Sequence, residues 1–116
     1  MEFDRFTVCL LLLRPDAPEL DEAAEYRLQD AHMAHLAEMH EKGHLLAAGP
    51  ILGAADRRLR GLSIYRVPPE EARSLADEDP GVREGRYTHE VYAWLVPAGA
   101  VSFAPARFPH SQAELG

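Results

Sequence analysis

The sequence predicts an α+β domain: one four-stranded antiparallel sheet with two helices packed on one of its faces. Three observations carry this. The chain has 116 residues, the size of one domain with its own core, and its 47% hydrophobic and 27% charged residues are globular proportions. Apolar segments of strand type and segments of helical period follow one another in the order β-α-β-β-α-β. Prolines, glycines and capping acids stand at most of the joints between them.

Residues 3–13 form the first strand. Both parities of its apolar run, Phe6–Leu13, favour burial, which predicts cover on both faces of the sheet. Pro15 and Pro18 mark a connector. Asp21 is the expected N-cap of a long helix reaching Lys42, with Glu22 and Glu25 in its first turn and Gly43 where a positive φ is wanted. At about 100° per residue, Ala24, Leu28, Ala31, His32, His35 and Met39 share one face. Two histidines therefore lie on the face that should meet the sheet.

Leu45–Leu52 read as the second strand, interrupted by Gly49-Pro50, and residues 53–58 as a turn. Leu59–Val67 form the third strand. Pro69 opens a short second helix over Glu70–Glu78, and Asp79-Pro80-Gly81 ends it, because a residue before proline is pushed out of the helical region. Arg86–Val96 make the fourth strand. This is the split βαβ order of ferredoxin-like domains. The domain is expected over 1–96, followed by an irregular tail, 97–116, held by Phe103 and Phe108. Strand four is apolar on both parities, Val91, Ala93 and Leu95 against Tyr92, Trp94 and Val96. Helices cover one face only, so the other predicts a homodimer stacked sheet on sheet.

Twelve Lys+Arg against nineteen Asp+Glu leave a net charge of −7, with no basic run. Neither nucleic acid nor an anionic membrane is an expected partner. The single Cys9 excludes an intramolecular disulfide and a multi-cysteine metal site. The apolar run near the N-terminus lacks a basic flank and a cleavage site, and falls well short of the ~20 residues that span a bilayer. The expectation is a cytoplasmic protein. No phosphate-binding glycine loop, nucleophile elbow or cysteine cluster supports nucleotide, hydrolytic or redox chemistry.

Few residues are left to carry chemistry. His32, His35, His40 and His44 cluster in the sequence. His32 and His35 are i,i+3 neighbours, but no third ligand is evident, so no metal is expected. A histidine on a core-facing helix is as readily a structural group as a base. Asp79 is, on its own, a helix-stop residue whose carboxylate satisfies local amides. It gains a function only if side-by-side helices bring it to His32, where it would hold one ring nitrogen and leave the other as a base. Tyr87 and His89 share a parity on strand four and read as core or dimer contacts. Tyr92 and Trp94 read as interface anchors, and Cys9 as an inert buried thiol.

An ordered set of short pieces is more specific than any of them alone. His32-Met33-Ala34-His35-Leu36, then Gly43-His44 through Gly49-Pro50, Pro69-Glu70-Glu71-Ala72, Asp79-Pro80, Gly85-Arg86-Tyr87 and His89 together resemble the YCII-related family, from about Phe6 to Val96. The resemblance implies a ferredoxin-like fold assembled as a dimeric α+β barrel, and a His–Asp pair that carries over onto His32 and Asp79. Most members have no assigned reaction; one is a dehydrochlorinase acting on a chlorinated hydroxyhydroquinone. His35, Gly49 and Pro50 are the further candidates for the pocket. The sequence departs from the pattern at Pro68, where a Ser or Thr cap is frequent, and at Gly81, where an aromatic often follows Asp-Pro. The second change is expected to widen or reshape the pocket mouth.

The reading is a small cofactor-free enzyme in which His32, oriented by Asp79, moves a proton on a small organic molecule in a lyase- or isomerase-type step. The alternative is a dimeric module that binds a small ligand without turnover. Metal binding through His32 and His35 is the weakest of the three.

Overall fold

A computed structural model of the protein describes residues 1–53, 55 and 58–116. The elements run β1 (Phe3–Leu13), α1 (Glu22–Glu41), β2 (Leu45–Pro50), β3 (Leu59–Tyr65), α2 (Pro69–Asp77), α3 (Pro80–Arg83) and β4 (Tyr87–Pro97), with a closing 3-10 turn at Gln112–Leu115. One antiparallel sheet has the order β2-β3-β1-β4, which is ferredoxin-like. β1 lies inside it, paired with β3 from Thr7 to Leu12 and with β4 from Phe3 to Leu13.

The helix ends follow local chemistry. Asp21 accepts a hydrogen bond from the Ala24 amide at 2.8 Å, and Gly43 takes φ +84°, which a side chain would resist. β2 stops at Pro50, earlier than the apolar run suggests, although the Ile51 amide still reaches the Arg60 carbonyl at 3.0 Å. The turn expected over 53–58 lies, at positions 54, 56 and 57, outside the described residues.

Asp79-Pro80 ends α2, as expected, and then does something more: it starts α3. Proline needs no amide partner at the first helical position, and Asp79 turns into the cap, accepting from the Gly81 amide at 2.9 Å.

Cys9, Met39, Leu45, Tyr65, Ala72 and Ala76 form the core between the helices and the sheet. The two alanines let α2 sit close to β1 and β4. Burial pushes the Cys9 thiol up to about 12, so it stays protonated in the physiological range and is a poor nucleophile. The Thr7 hydroxyl is satisfied by the Val67 carbonyl at 2.6 Å.

The tail holds one short regular element that its sequence does not show, near its end. Phe103 does anchor it, edge-on to Phe6 at 5.3 Å, and the same Phe6 ring lies 6.1 Å from Trp94. Part of the apolar outer face is thus covered within the chain. The tail then returns to the helix side, where Phe108 stacks on the His40 ring at 4.1 Å and 10°, and it closes in the 3-10 turn. Residues three apart give no apolar period in so short a piece, so pattern reading missed it. Among the described residues, no helix is long and apolar enough to cross a membrane.

Candidate functional site

His32 comes from the middle of α1 and Asp79 from the α2–α3 junction, which packs on α1. Their side chains meet: His32 Nδ1 is 2.6 Å from Asp79 Oδ2, with 12% and 6% of the side chains exposed. The proline at position 80 explains the aim of the carboxylate. It holds Asp79 at φ −59°, ψ 128°, outside the helix, so that one oxygen caps Gly81 while the other faces α1. An ionised carboxylate only accepts, so Nδ1 carries the proton and donates it. Nε2 is then the bare nitrogen, with no hydrogen-bond partner among the described residues. That is the tautomer of a general base.

The pair lines a cavity of about 370 Å³, closed by α1 above and β1 and β3 below. Its walls are mainly apolar, with a few convergent polar groups, the usual make-up of a small-molecule site. Gly61, which has no side chain, and Ser63 lie on the same parity of β3 as Tyr65 and give the floor two small residues on one face. Alternation along β3 could have exposed that signal. His35, Gly49 and Pro50 line the cavity too. His35 also donates to the Leu75 carbonyl at 3.0 Å, a bond that ties α1 to α2.

One expectation changes here. Tyr87 and His89 belong to the cavity wall, not merely to the core. Gly81 makes room for the Tyr87 ring beside the site. A Cβ at position 81 would lie 2.6 Å from Tyr87 Cδ2, so the tyrosine ring occupies the space that the glycine vacates. That ring sits 5.9 Å from the His32 ring, and its hydroxyl accepts from Arg86 Nε at 3.1 Å while Arg86 pairs with Glu25 of α1. Sequence reading could not link positions 81 and 87, because their contact is a feature of the α3–β4 turn.

His89 forms a second histidine–carboxylate pair, Nε2 to Asp77 at 2.8 Å, and its side chain is 5% exposed. Its Nδ1 is the one buried side-chain nitrogen or oxygen without a partner among the described residues. His40 is structural: Nδ1 donates to the Leu45 carbonyl at 2.6 Å and Nε2 accepts from the Ala106 amide at 3.2 Å. Among the described residues, no three His, Cys, Asp or Glu side chains come together as a metal site would need.

A family model, the YCII-related domain, matches residues 6–94. The chain belongs to the YCII-related family. Among curated proteins, none matches it in sequence. Among solved structures, this YCII-related chain is similar to the 5-chloro-2-hydroxyhydroquinone dehydrochlorinase of Burkholderia phenoliruptrix, solved as a complex with 2,5-dihydroxybenzoquinone. Identity is 22%, coverage 77% of this chain and 92% of that one, and the TM-score 0.56. At that distance the likeness is one of fold. The YCII-related match ends at residue 94, before the tail that returns to α1.

Proposed function

We propose that this YCII-related protein is a small-molecule enzyme in which His32 Nε2 removes a proton from a hydroxylated, halogen-bearing or similarly activated ring, with Asp79 holding the tautomer. The observation that carries this is the short, nearly buried His32–Asp79 bond opening on an apolar cavity. Burying such a pair is costly without a use for it. The step balances without a cofactor. His32 Nε2 takes one O–H proton while the halogen-bearing ring carbon gains a proton, giving a keto tautomer in which that carbon is tetrahedral. Loss of a second O–H proton then forms a new C=O, shifts the ring π electrons and expels the C–X pair as halide. His32 then returns its proton to solvent, and the net loss is HX. A fold shared with a dehydrochlorinase supports this class of elimination.

The assay is chloride release from 5-chloro-2-hydroxyhydroquinone and from simpler chlorinated hydroquinones. Release above the buffer rate, lost in a His32 variant, is the expected result. Ligand seen beside His32 with no release from any of them would favour a binding module instead.

The enzyme is proposed to act as a homodimer. Phe103 covers only part of the outer sheet face: Val8, Leu10, Leu62, Ile64 and Trp94 stay half-buried there and Tyr92 is half-exposed. Light scattering at micromolar concentration should report twice the 12.9 kDa chain mass. A monomer would show that the tail alone suffices as cover.

A further inference from the structure

Three of the apolar residues around the His32 cavity come from the tail: Phe108, Pro109 and Leu115. They belong to no strand or helix of the family domain, whose match stops at residue 94. The tail is fastened to the helix that carries His32, and the fastenings are specific. Gln112 donates its amide and its side-chain Nε2 to Asp30 Oδ1, both at 2.9 Å, and Nε2 also reaches the Tyr26 carbonyl at 3.0 Å. These donors hold the Asp30 carboxyl below the usual carboxylate range. The Ala106 amide bonds His40, the Phe108 ring stacks on it, and His110 pairs with Glu41 at 2.8 Å. Within the segment, Glu114 receives both Arg107 and the His110 amide, at 2.9 and 2.7 Å, and folds the end into a hook.

All of these anchors to α1 involve a side chain. Among the described residues, no backbone ladder joins 104–116 to the sheet. A segment held this way opens at far lower cost than the strands beneath it. A fixed site plus a separately fastened wall is the arrangement that lets one fold select among ligands.

We propose that residues 104–116 are the wall that selects what the His32 cavity admits, with Phe108 the residue that sets ligand size. This rests on the reading of the cavity as the ligand site, but not on turnover. The wall limits the cavity at the end where Phe108 packs against the core, and Asp30 controls how firmly it stays docked.

The test uses the full chain and two neutral probes of different size, phenol and 2-naphthol, which the net negative charge does not repel. Phe108→Ala removes the ring from the wall. Asp30→Ala frees Gln112 without altering any cavity-lining side chain, and serves if the first variant is poorly folded. Affinities come from NMR titration, and dissociation rates from 2-naphthol fluorescence. Phe108→Ala should raise the preference for 2-naphthol over phenol roughly tenfold, the order of effect that one or two ring carbons have in a snug apolar pocket. Asp30→Ala should speed 2-naphthol dissociation severalfold and strip hydrogen-exchange protection from the Ala106 and Gln112 amides.

Suppose 2-naphthol shifts the His32 and Met33 signals while preference and dissociation rate stay the same in all three proteins. The wall is then irrelevant, and the cavity reading survives. If neither probe shifts those signals in any variant, the cavity reading falls and this inference with it.

Discussion

Asp79→Asn should abolish proton transfer by a factor of about 10³–10⁴ while the protein stays folded. The asparagine oxygen can go on accepting from the Gly81 amide, as Asp79 Oδ1 does at 2.9 Å. Its amino group then faces His32 Nδ1, where the carboxylate now sits at 2.6 Å. Two donors cannot share one bond, so the imidazole must switch tautomer and carry its proton on Nε2. A ring protonated there cannot act as a base toward the cavity. His32→Asn is the matching control. Its Nδ2 takes the place of Nδ1 and keeps the bond to Asp79, yet no base remains, and the loss should be about 10²–10⁴-fold. Chloride release measures the activity, and ¹⁵N shifts of the ring report the tautomer. A reversed tautomer with undiminished release would remove His32 from the mechanism.

Asp79→Ala should instead cost stability, about 2–4 kcal/mol. It removes an N-cap, worth roughly 1 kcal/mol, and leaves a nearly buried imidazole donor without a partner, worth about 1–3 kcal/mol. At this chain length that is a fall of roughly 10 °C or more in Tm. Gly81→Ala should be of similar size by a different route. Its methyl would meet the Tyr87 ring at 2.6–3.0 Å, and overpacking of this kind costs about 1–3 kcal/mol. The two effects separate in a double mutant. Tyr87→Ala should rescue much of the Gly81→Ala loss and none of the Asp79→Ala loss, since only the first depends on the ring. Equal melting temperatures for wild type and Gly81→Ala would mean that Tyr87 has somewhere else to go.

Much of this fold was legible from local signals because local physics produces it. β1 and β4 are long apolar runs, α1 is bounded by a capping acid and a positive-φ glycine, and α2 opens at a proline. Such features act within a few residues, so they survive in the bare sequence. The pairing of His32 with Asp79 was a weaker inference, since 47 positions separate them and only the ferredoxin-like order and a family likeness suggested the meeting. α3 escaped because the Asp-Pro stop of one helix is also the start of the next, and a stop signal alone does not show which follows.

What the sequence by itself determined was therefore the four strands and the two longer helices, their order, the candidate residues and the absence of other chemical motifs. What only the tertiary structure decided was the orientation of the site. The Asp79 carboxylate divides between Gly81 and His32, Tyr87 fills the space over Gly81, His89 faces the cavity with Asp77 behind it, and the tail comes back as a wall on α1. The reason is physical. Caps and periods depend on neighbours within one or two turns, whereas each of these contacts depends on packing between elements whose separation along the chain carries no information about their distance in space.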